Sequence, residues 1–175
     1  MLLTLTRFSD LDGRKLMDLY AEGNLENTDY FYPSMTDKAE ALRLVEKGFL
    51  SYLRDEFFGP AGSTYRIWAE NGVWVSALRL TRVEDGLYYL EALETHPAFR
   101  RQGFASRLLQ AVLDALKAED PFRLCDCVSK RNEASLRTHL KNGFRIAAEE
   151  GIDYLRGEKD ERDYGMEYRY EGEGK

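Results

Sequence analysis

The segment Phe99–Leu109, FRRQGFASRLL, has the composition of an anion-binding loop. Two arginines precede a glycine, and a predicted helix begins there with no Ser, Thr, Asp or Asn at its capping position. The first amides of a helix have no partners within it, and together with the helix dipole they attract anions such as phosphate. Gly103 lets the backbone approach a ligand closely, and Arg100 and Arg101 can add charge-assisted hydrogen bonds. An ordinary helix start on a basic surface explains this loop alone equally well.

Two further groups of residues could move protons. Glu91 and Glu94 lie on the predicted strand before the loop, where a carboxylate can act as a general base. Their odd spacing directs them to opposite faces of a regular strand, unless a β-bulge changes the phase. Asn132, Ser135 and His139 follow at i, i+3 and i+7 along one side of a predicted helix. His139 could donate a proton near neutral pH or be purely structural, and Asn132 is also a good helix cap.

The elements around these residues predict one domain over residues 1–175, of the α+β or mixed α/β class with helices on both faces. Asn71-Gly72 and Asp85-Gly86 mark turns between three strands of an antiparallel meander. Apolar residues from Phe104 to Leu116 repeat about every 3.6 residues, which predicts a helix, and a buried strand follows as a parallel crossover. The other predicted elements are a strand at 2–8, helices at 11–23, 36–58 and after Asn132, an irregular segment at 24–35, and strands at 144–150 and 163–171.

Composition excludes several classes of protein. The formal net charge of −6 argues against a broad nucleic-acid-binding face. No apolar run approaches the roughly 20 residues that a membrane span needs, and the first residues are too short and polar for a signal peptide, so we expect a cytoplasmic protein. Cys125 and Cys127 with two distant histidines are too few for a metal site, and we expect no metal.

The run LYYLEALETHPAFRRQGFASRLL closely resembles the central signature of the GNAT superfamily, the acetyl-CoA-dependent N-acetyltransferases. Arg100, Gly103 and Ala105 match the loop of the family pattern, while Thr95 stands where the family usually has Val. The later run NEASLRTHLKNGF resembles the Asn-led helix of the family that ends in Gly-Phe. The resemblance covers residues 87–144 and implies a twisted mixed sheet whose two central parallel strands, at 88–95 and 122–128, splay apart around acetyl-CoA.

The resemblance also implies roles for individual residues. The backbone of the first splayed strand pairs with the pantetheine arm, and an amide near Leu93 or Thr95 stabilises the thioester oxygen. His139 stands where relatives usually have a tyrosine proton donor, with Tyr154 or Tyr164 as alternatives. Glu91 is slightly favoured as base or amine-binding group, although a merely structural acid is the alternative. The implied cofactor-binding residues are Leu93, Glu94, Thr95, Arg100, Arg101, Gln102, Gly103, Phe104, Ala105, Ser106, Asn132 and Ser135.

The function implied is transfer of an acetyl group from acetyl-CoA to a primary amine of a small molecule or a protein, by direct attack in a ternary complex. The alternative is a module of the same fold that binds or senses acyl-CoA without turnover. Acids beside aromatics at Glu26, Tyr30 and Tyr32 could hold a cationic amine, or could pack a helix against the sheet. Relatives often pair through their C-terminal strands, so a homodimer with residues 163–171 at a sheet edge is a further expectation, with no membrane or nucleic-acid partner.

Overall fold

The computed structural model describes residues 1–59 and 62–172, which form a layered arrangement of helices on a mixed sheet. The strands are β1 (Leu2–Leu5), β2 (Ser63–Glu70), β3 (Val73–Glu84), β4 (Leu87–Thr95), β5 (Phe122–Ser129), β6 (Arg145–Ala148), β7 (Gly151–Ile152), β8 (Lys159–Asp160) and β9 (Asp163–Tyr170). The helices are α1 (Gly13–Leu19), α2 (Ala21–Phe31), α3 (Lys38–Tyr52), α4 (Phe104–Lys117) and α5 (Glu133–Lys141). A π-helical turn at Leu53–Phe57 extends α3, and 3-10 turns lie at Phe8–Asp10 and Pro97–Phe99.

Seven strands form one sheet in the order β1-β2-β3-β4-β5-β9-β6, and β7 and β8 form a separate short hairpin. Within the described residues, β4 and β5 are the parallel pair, and the other neighbours are antiparallel. The parallel pairing covers only Leu87–Tyr89 against Arg123–Cys125, although both strands continue beyond it. The strands therefore diverge at their carboxyl ends, and the predicted mixed fold with a splayed central pair is confirmed.

Local sequence signals account for most of these elements. Asn71 and Gly72 both have positive φ, 49° and 82°, as the tight hairpin turn between β2 and β3 requires. The Asp37 carboxylate accepts hydrogen bonds from the amides of Ala39 and Glu40 at the start of α3. The Asn132 side chain caps α5 in the same way, through the amide of Ser135.

Helix α2 corrects the prediction of an irregular segment at 24–35. Its inward positions are polar, with Asn24 only 3% exposed and Thr28 1% exposed, while Leu25, Tyr30 and Phe31 are exposed. The apolar repeat that normally identifies a helix is therefore missing from its sequence. Helix α2 begins directly after α1, and Tyr20 is both the C-cap of α1 and the N-cap of α2.

The two faces of the sheet are covered by different helices. Helix α4 packs on one face, in a core that contains Leu78, Leu80, Leu90, Leu108, Leu109, Val112, Leu113, Leu116, Phe122, Leu124, Val128, Phe144 and Met166. Helices α1 to α3 cover the β1–β4 part of the other face, in a core that contains Leu16, Leu19, Tyr20, Leu53, Phe57, Tyr65, Ile67, Ala69, Trp74 and Ala77. The hairpin β7-β8 contacts the other half of this face, beside Cys125 and Cys127.

Strand β9 lies between β5 and β6, so the expectation that residues 163–171 form a sheet edge is wrong. The long β9 pairs with all of β5, from Phe122 opposite Tyr170 to Ser129 opposite Asp163, and this leaves the short β6 outside. None of the described helices is long and apolar enough to cross a membrane.

Candidate functional site

A cleft of about 750 Å³ opens where β4 ends and helices α4 and α5 begin. It lies on the side of β4 where pairing with β5 has stopped. The residues that line it are Glu22, Gly23, Glu26, Leu93, Glu94, Thr95, Arg100, Arg101, Gly103, Phe104, Ala105, Ser106, Asn132, Ala134, Ser135, Arg137, Thr138 and Lys141. The structure thus brings eleven of the twelve predicted cofactor-binding residues to one cavity; the exception is Gln102.

The N-terminus of α4 opens into this cleft without a protein cap. Gly103 precedes the helix with φ 82°, and no side chain in the described ranges hydrogen-bonds to the helix start. The first amide to bond within the helix is that of Arg107, which donates to the Gly103 carbonyl at 3.0 Å. The amides of Phe104, Ala105 and Ser106 therefore precede the helical ladder and can donate to an anion. A Cβ atom at Gly103 would meet no described heavy atom within 4 Å, so the space beside the loop is open.

The two loop arginines differ in their contacts. The Arg100 guanidinium is paired with Glu22 of α2 and Glu94 of β4, and its Nε donates to the Thr95 carbonyl at 3.3 Å. Arg100 therefore joins the wall of the cleft to the end of the strand. Arg101 is exposed with φ 60°, and it forms no ion pair with the described residues. Gln102 instead donates to the Ala98 carbonyl at 3.3 Å, within its own loop.

Helix α5 forms the opposite wall and is tied to α4. Asn132 Oδ1 accepts a hydrogen bond from the Ser135 amide at 3.0 Å, so capping occupies one of its side-chain groups. The Asn142 side chain at the end of α5 donates to Ser106 Oγ at 2.7 Å and to the Thr138 carbonyl at 2.7 Å. The bond to Ser106 ties the end of α5 to the first turn of α4.

Strand β4 contains a bulge centred on Ala92, a non-glycine residue with φ 52°. Across the strand pair, Ala77 lies opposite Glu94 and Arg79 opposite Glu91, so three steps on β4 match two on β3. The extra residue brings Glu91 and Glu94 to the same face of the sheet, the face covered by α1 to α3. The sequence left both arrangements open, and the structure selects the bulged one.

The backbone of β4 beyond the bulge presents donors to the cleft. The His96 amide bonds to the Val75 carbonyl and the Glu94 carbonyl accepts from Ser76, so both residues face β3. Because alternate residues of a strand face opposite edges, Leu93 and Thr95 present their amides to the cleft side. The Thr95 amide already donates to its neighbour Glu94 Oε1 at 3.0 Å. Of the two predicted oxyanion donors, Leu93 is therefore the better placed.

Glu91 forms a buried and incomplete ion pair with Arg79. Their closest nitrogen and oxygen atoms lie 3.5 Å apart, and the Arg79 guanidinium stacks over the rings of Tyr52 and Phe57. Within the described ranges, Arg79 Nε and Glu91 Oε2 are buried without a hydrogen-bond partner. Burial raises the pKa of Glu91, while Arg79 opposes the shift and the nearby Asp153 adds to it. An unpartnered carboxylate oxygen with a raised pKa has the properties of a general base, but Glu91 is not among the residues that line the cleft.

His139 is fully buried and does not line the cleft. Its Nδ1 bonds to the Ser135 carbonyl at 2.8 Å, and Nε2 lies 2.8 Å from Asp126 Oδ2, although this second contact is poorly aligned for a hydrogen bond. Burial raises the pKa of Asp126, and Asp126 raises the pKa of His139 against the opposing effect of burial. This geometry gives the predicted donor role no support.

The alternative tyrosines also lie elsewhere. Tyr154 packs against Tyr89 with ring centres 5.7 Å apart, and Tyr164 lies 5.0 Å from the Lys130 ammonium group. Of the three predicted amine-binding residues, Glu26 lines the cleft, whereas Tyr30 and Tyr32 at the end of α2 do not. Tyr30 is 79% exposed, and its aromatic contact within the described residues is an edge-on contact with Phe31.

Sequence reasoning missed Tyr20, Arg79 and Asp126. The Tyr20 hydroxyl donates to the carbonyl of Ala92 at the bulge, Arg79 faces Glu91 and Asp126 faces His139. Each of these contacts joins residues from different elements, so no local spacing reveals them. For Arg79 and Asp126, the signal in the sequence is a charged residue within a predicted buried strand, because a buried charge needs a partner.

Comparisons with known proteins agree with this geometry. Residues 24–144 match the sequence model of the acetyltransferase (GNAT) family. The curated proteins contain no sequence match to the chain.

Similar solved structures include three acetyltransferases. The PaiA N-acetyltransferase of Thermoplasma acidophilum, solved with coenzyme A, is 13% identical with a TM-score of 0.62, over 97% of this chain and 99% of that one. The ribosomal-protein-S18-alanine N-acetyltransferase of Escherichia coli is 20% identical with a TM-score of 0.61, over 100% and 97%. An aminoglycoside 6'-acetyltransferase type Ii is 13% identical with a TM-score of 0.63, over 97% and 96%. At these identities the likeness concerns the fold.

Proposed function

Because the chain belongs to the acetyltransferase (GNAT) family, we propose that it transfers the acetyl group of acetyl-CoA to a primary amine in a ternary complex. The observation that carries the proposal is the uncapped start of α4, which opens into a cleft beside the bulged end of β4. The start of α4 supplies hydrogen-bond donors to an anion. The bulged end of β4 supplies backbone donors to an extended arm and a thioester. Together they match the two ends of an acyl-CoA molecule.

The proposed binding mode assigns the diphosphate to the amides of Phe104, Ala105 and Ser106, with Arg101 as an additional cation. Arg100 reaches the ligand only by exchanging one of its carboxylate partners, Glu22 or Glu94. The pantetheine arm lies along Leu93 and pairs with its backbone as an added strand would. Asn132 and Ser135 line the opposite wall and contact the arm from α5.

The proposed reaction is a direct displacement. The amine nitrogen forms a bond to the thioester carbon, the carbon–sulfur bond breaks, and the sulfur leaves with the bonding electrons as a thiolate. The Leu93 amide donates to the carbonyl oxygen, on which negative charge develops. Glu91 accepts the proton that the amine loses through a water molecule, since its Oε2 atom is buried and does not line the cleft. A thiol with a pKa near about 8.5 is an adequate leaving group without a dedicated acid, so His139 is not needed as a donor.

The acceptor remains a primary amine of a small molecule or a protein. Structural neighbours act on an aminoglycoside in one case and on the alanine of a ribosomal protein in another, so the shared fold accommodates both kinds. Glu26 on α2 lines the cleft and favours a cationic acceptor, whereas Glu22 is already paired with Arg100. We further propose that the protein acts in the cytoplasm.

The test is release of CoA from acetyl-CoA across a panel of amines that includes an aminoglycoside, a polyamine and a peptide with an N-terminal alanine. Release well above the rate without amine supports the transferase. Tight CoA binding measured by calorimetry, with no release on any amine, supports the alternative of a sensing module. A protein that does not bind CoA contradicts both proposals.

A further inference from the structure

Tyr20 contacts the strand bulge from a distant part of the chain. It lies at the junction of α1 and α2, and its hydroxyl donates to the Ala92 carbonyl at 2.6 Å across 72 positions of sequence. Ala92 is the residue with positive φ at the centre of the bulge. An alanine in this conformation is disfavoured unless surrounding contacts hold it there, and the Tyr20 hydrogen bond is such a contact.

A second tyrosine supports the first. The Tyr65 hydroxyl donates to Tyr20 Oη at 3.0 Å, so a chain of two hydrogen bonds runs from β2 to the bulge. Both side chains are buried, and the ring of Tyr20 packs edge-on against Phe49 with centres 5.3 Å apart. Burial raises the pKa of Tyr20 well above its ordinary value, which keeps the hydroxyl protonated as a donor. Hydrogen bonds in such a chain polarise and strengthen one another.

The contact fixes the direction of one peptide group. The Ala92 carbonyl and the Leu93 amide belong to the same planar trans peptide and point in opposite directions. A carbonyl held by Tyr20 on the α1–α3 side therefore directs the Leu93 N–H away from that side. This is the amide that faces the cleft.

We propose that Tyr20, supported by Tyr65, is a positioning residue that holds the Leu93 amide toward the thioester oxygen of bound acetyl-CoA. The proposal rests on the proposed function and adds to it the device that keeps the oxyanion donor aligned. Tyr20 itself touches neither the acyl donor nor the amine in this scheme. Its effect is on the geometry of a donor whose value depends on orientation.

The test is Tyr20→Phe, which removes the hydroxyl and keeps the packed ring. We expect kcat to fall about 10- to 100-fold while the KM for acetyl-CoA changes less than about twofold, since a misaligned donor loses mainly transition-state stabilisation. Tyr65→Phe should lower kcat in the same direction by a smaller factor. Tyr170→Phe, on β9 opposite the start of β5, is the matched control and should leave kcat unchanged.

A second readout needs no amine acceptor. The infrared band of the thioester carbonyl in enzyme-bound ¹³C-labelled acetyl-CoA should lie at higher frequency in Tyr20→Phe than in the native protein, because a lost hydrogen bond depolarises the carbonyl. An unchanged band and an unchanged kcat would overturn the proposal. Equal losses of kcat and CoA affinity with the native band position would also overturn it, because they indicate general damage. If the native protein acetylates no amine, the proposed function fails and the band position still decides the role of Tyr20.

Discussion

A single extra residue in β4 places Glu91 and Glu94 on the same face of the sheet. Without the bulge at Ala92, Glu91 and Glu94 would face opposite sides of the sheet, and Glu94 would not share the α1–α3 face. With the bulge, Glu94 is neutralised by Arg100, while Glu91 keeps an unpartnered oxygen beside Arg79. Two carboxylates of the same type, three residues apart, thus have different environments and different proposed tasks.

Glu91→Gln tests the proposed base, because it keeps the shape and removes the proton acceptor. We expect kcat to fall about 10²- to 10⁴-fold, with little change in the affinity for CoA. Steady-state kinetics and calorimetry would measure the two quantities. Glu84→Gln, at the exposed end of β3, is the control and should retain native kcat. A Glu91→Gln variant with native kcat would remove Glu91 from the mechanism.

Arg79 lowers the pKa of Glu91 against the larger effect of burial, so it should widen the pH range in which the proposed base is ionised. Burial and the carboxylates of Asp153 and Asp126 raise the pKa of Glu91, whereas Arg79 and Arg156 lower it. Since the base works only when ionised, activity falls as the pH decreases through this pKa. Arg79→Gln removes one opposing cation and should move the acidic limb of the kcat/KM profile to higher pH. Arg79→Lys should move it less, and a limb that stays in place in both variants would contradict the coupling.

Gly103 offers a test with a matched partner elsewhere in the chain. Gly103 and Gly72 both have φ of 82°, and an added Cβ meets open space at both positions. Gly103→Asp and Gly72→Asp should each cost about 1–2 kcal/mol of stability through backbone strain. Only Gly103→Asp should weaken CoA binding, by at least about 100-fold, since it places a like charge beside the diphosphate. Equal CoA affinity of the two variants by calorimetry would argue against the anion site.

At the scale of elements, the pair of His139 and Asp126 fastens α5 to β5 beneath the cleft wall. Removing one partner of a buried ion pair leaves the other unpaired, so His139→Ala should lower the free energy of unfolding by about 3 kcal/mol. Asp126→Asn in the same chain should recover part of that loss. Urea denaturation measures both effects. A large loss of kcat at unchanged stability would instead restore His139 as a proton donor.

The same pair gives stability a pH dependence of known sign. The pKa of His139 is raised above its ordinary 6.5, so its contribution is full below that value and is lost as the pH rises through the folded-state pKa. The stability difference between the native protein and His139→Ala should therefore shrink as the pH rises above 6.5 and through the raised folded-state pKa of His139.

The sequence predicts elements well where one local rule decides them. The Asn71-Gly72 hairpin, the Asp37 and Asn132 caps and the apolar repeat of α4 are of this kind. Helix α2 was missed because its buried positions are Asn24 and Thr28, which no apolar pattern marks.

In the site, the loop around Gly103 could be predicted because its chemistry lies in consecutive backbone amides. The burial of His139 could not be predicted, because it depends on the contact between His139 on α5 and Asp126 on β5. The bulge was foreseen only as an alternative, because Ala92 carries no glycine-like signal for its positive φ. Contacts between elements are thus the part of the site that sequence spacing does not contain.

At the scale of the whole molecule, CoA should stabilise the folded state. At a concentration of 100 times its Kd, a ligand that binds only the folded state adds about 2.7 kcal/mol. For a chain of this size, that corresponds to a rise in Tm of about 5–10 °C. Differential scanning calorimetry should show this rise for the native protein and for Gly72→Asp, and a much smaller one for Gly103→Asp. If saturating CoA does not change the Tm of the native protein, the proposed binding mode is contradicted.

The place of β9 in the sheet has a consequence for synthesis on the ribosome. Because this late strand inserts between β5 and β6, the neighbour that β5 needs emerges only after every element of the cleft has already been made. A nascent chain that has reached residue 160 carries all the proposed ligand-contacting groups and still lacks the strand that supports one wall. We therefore expect a chain that stops before residue 163 to bind CoA more weakly than one that includes β9, because β5 then lacks the antiparallel partner that runs along its whole length.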